Sequence, residues 1–160
     1  MDVRLINPFV AAVGQVFDVM LGIELTPGKC TASRTLDLAY NSVSATILLR
    51  GGASGASVLR LSHDFARALA QQIDENATSI ADGLDAVGEF ANMVAGIAKR
   101  NLADHMVEIS TPNVHVGDDP PSLAHLSPWL CVPFEAPFGS FALAVSIQVK
   151  RALAETAPES

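Results

Sequence analysis

The chain has little of what marks several large functional classes. Lysine and arginine total 10 against 17 aspartates and glutamates, for a net charge of −7. No run of basic residues interrupts that balance, which argues against a nucleic-acid binder. An acidic protein can still dock on a basic face of another protein. Only two cysteines are present, Cys30 and Cys131. Neither belongs to a CxxC or a Cys/His cluster, so a zinc site has no support and no metal ligands are assigned. Both lie in strand-like segments, where a buried free thiol is expected. No apolar run approaches the ~20 residues needed to span a bilayer. Asp2, Arg4, Asn7 and Asp18 make the N-terminus a poor signal peptide. The expectation is a cytoplasmic protein without membrane association.

What the chain does have is apolar substance. Of its 160 residues 49% are hydrophobic and 17% charged, enough for one domain with a real core. That domain is expected over 1–154, with a frayed tail at 155–160.

Asn7-Pro8 reads as an N-cap followed by proline at the first helical position. Phe9, Val13, Val16, Phe17, Met20 and Leu21 then recur at helical spacing, and Gly22 is a C-terminal stop. Pro27-Gly28 is a turn, followed by a strand within Cys30 to Leu38. Ser42–Arg50 and Ala56–Ser62 form a hairpin across the GGASG stretch from Gly51 to Gly55. Ser62 caps a short helix from His63 to about Ile73. Thr78 or Ser79 caps the longest helix, which runs to about Asp104. Val107–Val116 is a strand interrupted by Pro112, hence kinked or at an edge. The segment 117–128, with three prolines, is expected to be an exposed loop. Leu130–Glu135 and Phe141–Val149 make a second hairpin.

The element order repeats. AVGQVFDVMLG (12–22) and AVGEFANMVAG (86–96) occupy the same place in each half, offset by 74 residues. Gln15 then matches Glu89, and Asp18 matches Asn92. The expected fold is α/β (α+β): two long helices packed on a mostly antiparallel sheet, with a pseudo-twofold internal repeat. Short hairpin turns force antiparallel neighbours.

On a helical wheel, Ile80, Leu84, Val87, Phe90, Ala91, Val94, Ile97 and Ala98 gather on one side of the long helix. Asp85, Glu89, Asn92, Gly96, Lys99 and Arg100 gather on the other. Glu89 and Asn92 are three apart, so they are neighbours on the solvent face. Gly88, Ala95 and Gly96 are expected to flank them, leaving a surface stripped of bulk that another protein's backbone can approach. An exposed Glu and Asn often make no more than a solvated face, and mid-helix glycines often serve packing. The usual catalytic patterns are missing. GGASG lacks the Lys-Ser/Thr of a P-loop and joins two strands, so it is a turn. Ser62-His63-Asp64 are consecutive and cannot form a triad. His105, His115 and His125 have no metal-ligand or catalytic spacing and read as exposed loop residues.

The stretch Asp85–Gly96 resembles the signature of the CheC/CheX/FliY phosphatases of bacterial chemotaxis, Glu-x-x-Asn on an exposed helix. VRLINPFVAAVGQVF, STPNVHVG and VPFEAPFGSFALAVSI resemble the CheX branch, so the likeness covers nearly the whole chain. It implies a CheX-like phosphatase that hydrolyses the aspartyl phosphate of a CheY-type receiver domain. Glu89 and Asn92 would be catalytic, with Asp85, Gly88, Gly96 and Lys99 in the partner contact. Gln15 and Asp18 would be a degenerate second site, because an anion at Asp18 repels a phosphoryl group and Gln15 cannot form a salt bridge. No cofactor of its own is implied; Mg2+ belongs to the partner receiver, and the chain is expected to form a homodimer. The alternative is a non-catalytic receiver-binding or dimerisation module of the same fold.

Overall fold

A computed structural model describes residues 3–36, 42–117 and 123–150; the 155–160 tail lies outside them. A 3-10 turn at Val3–Ile6 leads into α1 (Asn7–Leu21). The cap position falls on Ile6 and has no side-chain hydrogen bond, so Asn7 is the first helical residue and not the cap. Pro8 still sits in the first turn, where its missing N–H costs nothing. Gly22 ends the helix in the left-handed conformation (φ 64°), its N–H donating to the Asp18 carbonyl at 2.9 Å.

Val3–Leu21 is, by length and a hydropathy of 1.3, long and apolar enough to cross a membrane. The sequence expectation is that no apolar run approaches the ~20 residues of a span. Phe9, Ala12, Val13, Val16 and Phe17 of α1 are buried within this fold, so the apolarity serves the core.

Two short strands follow, β1 (Thr26–Pro27) and β2 (Thr31–Ser33), then the long hairpin β3 (Ser42–Gly51) and β4 (Ala53–Ser62). The hairpin turns more tightly than expected. Gly55 is inside β4, not in the turn, with φ 147°. A β-carbon there would overlap the carbonyl oxygen of Ser146 on the neighbouring strand, which is why glycine interrupts a strand.

Ser62 caps α2 (His63–Ile73) by accepting from the Phe65 N–H at 3.0 Å. Ser79 caps α3 (Ile80–Arg100) in a reciprocal box with Asp82: its hydroxyl accepts from the Asp82 N–H (3.0 Å), and the Asp82 carboxylate accepts from the Ser79 N–H (3.1 Å). The helix stops at Arg100, short of Asp104. Ala103–His105 is a separate 3-10 turn. Beyond it lie β5 (Val107–Ile109) and β6 (Asn113–Val116), split around Pro112 and both on β3 at the sheet edge. The second hairpin is β7 (Trp129–Ala136) and β8 (Gly139–Val149).

The strands form one antiparallel sheet, ordered β1-β7-β8-β4-β3-β5, with β2 also on β7 and β6 also on β3. This order is a twofold arrangement. Each half supplies a central hairpin, and the two hairpins meet along β4 and β8. The short strands of the first half pair with the second half's β7. Those of the second half pair with the first half's β3. The exchange of edge strands agrees with an internal repeat, and neither half has a complete sheet without the other.

The helices cover one sheet face. Phe17 of α1 meets Phe90 of α3 and Phe141 of β8, each with ring centroids 5.2 Å apart, and Phe65 of α2 reaches Phe141 at 5.1 Å. The opposite face carries a smaller cluster of Ala56, Val58, Leu123, Trp129 and Ala144. Leu123 is therefore buried, although 117–128 was expected to be exposed throughout. Cys30 is exposed and Cys131 half-buried, not two buried thiols: Cys30 lies between β1 and β2, outside any strand. Among the histidines expected to be exposed, His125 is, while His105 and His115 are half-buried. Ile80, grouped with the apolar side of the wheel, is 59% exposed at the first position of the helix.

Candidate active site

The capping box fixes where α3 begins, and so fixes which residues its solvent face presents. Val87, Phe90, Ala91, Val94 and Ala98 are buried on the sheet side. Asp85, Glu89, Asn92, Lys99 and Arg100 are exposed, as the wheel predicts. Glu89 and Asn92 stand one turn apart, and neither side chain has an intramolecular partner among the described residues. A carboxylate and an amide thus share one ridge with their hydrogen-bonding capacity free. Together they can accept from a cation and from a water, and the amide can also donate.

The glycines divide differently from the expectation. Gly88 is buried under β6: a β-carbon there would lie 3.2 Å from Val114 Cγ2 and 3.9 Å from Pro112 Cγ. It serves packing and does not open the face beside Glu89. Ala95 is likewise 1% exposed. The wheel places both at the margin of the polar face, but β6 closes over Gly88 and Ala95 is buried as well, and a helix considered alone carries no sign of either. Gly83, nearer the start, lets α3 approach Ala66 of α2, 3.3 Å from its β-carbon. Gly96 is different. Apart from its own stretch of helix, no atom of the described residues lies within 4 Å of where its β-carbon would be. Of the two glycines assigned to the partner contact, only Gly96 has an open face.

On α1, Gln15 and Asp18 are both exposed, in the places corresponding to Glu89 and Asn92. The fold keeps the second ridge while the sequence lacks its Glu-x-x-Asn. Sequence reasoning missed what lies between the ridges. Val19 and Met20 of α1, with Met93, Gly96, Ile97 and Arg100 of α3, line an apolar groove of about 240 Å³. Met20 had been counted with the core stripe, yet it is 45% exposed, and Val19 is 72% exposed. Val19, off the stripe and apolar, was the signal available. Among the described residues, no three His, Cys, Asp or Glu side chains converge as a metal site would require.

A family model for the chemotaxis phosphatase CheX matches residues 43–135, which include all of α3. The chain belongs to the CheX family. The CheY-P phosphatase CheX of Thermotoga maritima is 29% identical over 131 residues, covering 74% of this chain and 79% of that protein. The crystal structure of CheX from Desulfovibrio desulfuricans superposes with a TM-score of 0.79 at 28% identity, over 91% of this chain and 100% of that one. A CheX–CheY–BeF3–Mg2+ complex from Borrelia burgdorferi shares the fold, with a TM-score of 0.72 at 22% identity, over 92% of this chain and 99% of that chain. The CheX-like α+β architecture expected from the sequence is thus the one observed.

Proposed function

We propose that this chain terminates a chemotaxis signal by hydrolysing the aspartyl phosphate of a CheY-type receiver domain, using Glu89 and Asn92. The observation that carries the reading is the exposed, unpartnered Glu-x-x-Asn pair on α3 in a member of the CheX family. The Thermotoga relative is named for action on CheY-P, and the Borrelia relative was solved bound to CheY.

An acyl phosphate is already reactive. The receiver supplies Mg2+ and a lysine, which neutralise the phosphoryl oxygens. What remains is to place a water in line with the scissile P–O bond. The Asn92 carbonyl accepts a hydrogen bond from that water and orients its lone pair toward phosphorus. As the new P–O bond forms, the bond to the aspartate oxygen breaks, giving a free carboxylate and inorganic phosphate. A carboxylate in place of Asn92 would repel the phosphoryl charge. Glu89 forms a charge-assisted hydrogen bond with the receiver's lysine and so sets the register of α3 on its partner. Asp85, Gly96 and Lys99 lie along the same face and belong to the contact. Gln15 and Asp18 form the degenerate second site. The chain works in the cytoplasm, as a homodimer, with no cofactor of its own.

The test is the decay of an aspartyl-phosphorylated CheY-type receiver with and without the protein. Acceleration that disappears on replacing Asn92 supports the assignment. Tight binding of the receiver without turnover would favour a docking module.

A further inference from the structure

The groove between α1 and α3 takes no part in the bond-making just described, although Gly96 of the contact and Gln15 of the degenerate site are among its lining residues. Its walls are apolar, and two of them, Val19 (72% exposed) and Met20 (45%), face solvent on a protein of net charge −7. Gly96 forms part of its α3 wall, in a helical position where alanine would be about 1 kcal/mol more favourable. Among the described residues, nothing occupies the space that an alanine methyl would fill. Gly83 and Gly88 have neighbours that account for them; Gly96, like Gly14 of α1, does not, and of these two Gly96 lines the groove. Arg100 closes one end of the groove with a cation that has no partner among the described residues.

We infer that this groove is a docking pocket for the receiver, taking an apolar side chain flanked by a carboxylate. The inference rests on the proposed phosphatase reading and extends it from the reacting atoms to partner recognition. Geometry argues for this occupant. Met93 follows Asn92 directly, and Ile97 is about 7.5 Å further along the axis at 1.5 Å per residue. α1 packs against α3 through Phe17 and Phe90, and packed helix pairs typically lie about 8–10 Å apart. A specific interface buries about 800 Å² per partner, equivalent to a disc of roughly 16 Å radius. A receiver that seats its phosphoryl group on Asn92 therefore covers the groove as well. A second copy of this chain lying there would obstruct the same ridge. The open face at Gly96 lets the receiver backbone come close, and Arg100 supplies the complement to an acidic group at the pocket rim. On this reading α1, having lost the Glu-x-x-Asn pattern, keeps a role as the far wall of the docking pocket.

The test compares the wild type with the Val19→Asp, Met20→Asp double variant, and with Ile73→Asp as control, an exposed apolar residue of α2 outside the groove (52% exposed). Val19→Asn alone serves if the double variant misfolds. Two quantities are measured: affinity for a beryllofluoride-loaded receiver, and the kinetics of phospho-receiver decay. The expected result is an affinity loss and a rise in KM of about tenfold or more, with kcat held within about twofold and the control unchanged. Unchanged affinity and KM would overturn the docking pocket while leaving the phosphatase reading intact. Binding without turnover in the wild type would overturn the phosphatase reading, while affinity loss in the variant would still uphold the pocket. A wild type that binds no receiver overturns both. Dissociation of a dimer in the variant, with KM unchanged, would assign the groove to a second copy and overturn the proposal.

Discussion

A methyl carbon of Val114 lies 3.2 Å from where a β-carbon on Gly88 would stand, whereas Gly96, two turns further along the same helix, has no neighbour within 4 Å. The two glycines therefore differ in what holds them. Gly96→Ala gains helix propensity with no clash and is expected to stabilise the fold by about 0.4–1 kcal/mol. Gly88→Ala gains the same propensity but presses on β6, and should leave the protein less stable than Gly96→Ala by about 1 kcal/mol or more. Denaturant midpoints of the two variants check this. Equal stabilisation would mean that β6 yields freely at Val114.

Glu89 is exposed and makes no bond to any other described residue, so its replacement has no structural cost to mask the kinetics. Glu89→Gln should leave the melting temperature unchanged and lower kcat/KM by roughly tenfold or more, through loss of the charge-assisted contact to the receiver. A variant as active as the wild type would remove Glu89 from the site.

Asp18 occupies the place on α1 that Asn92 holds on α3, without a glutamate three residues before it. Asp18→Asn is expected to leave receiver dephosphorylation within about twofold of wild type, since a single amide on that ridge does not rebuild the pair. A several-fold rise or fall in kcat would show that both helices take part in the chemistry.

The ring of Phe17 joins α1 to both α3 and the sheet, with centroids 5.2 Å from Phe90 and from Phe141. Phe17→Ala should destabilise the domain by about 3–5 kcal/mol through cavity formation. Because α1 forms one wall of the groove, receiver affinity should fall with it. A loss below about 1 kcal/mol would contradict the central place given to this contact.

Much of this was legible in the sequence. Ser62 and Ser79 announced the starts of α2 and α3, and the apolar stripe of α3 put Glu89 and Asn92 on its exposed side. The repeat offset of 74 residues foreshadowed the twofold sheet. What was not legible depended on neighbours distant in sequence. Gly88 and Ala95 sit on the polar side of an isolated wheel, but β6 covers Gly88 and the fold buries Ala95 too. Gly55 resembles a turn residue until the carbonyl of Ser146 is seen beside it. Met20 looked like an ordinary end to an apolar stripe and Val19 lay off it, and only the packing of α1 on α3 makes them the wall of a groove. Local periodicity decides which way a side chain points from its own element. It does not decide what another element places over it.

The central claim is that Asn92 orients the attacking water. Its most direct test is the decay of an aspartyl-phosphorylated CheY-type receiver in the presence of wild type and of Asn92→Ala, with affinity for the beryllofluoride-loaded receiver measured alongside. The expected result is faster decay with the wild type, on the order of 10²-fold lower stimulation with the variant, and nearly equal affinity for both. Full stimulation by Asn92→Ala would contradict the account.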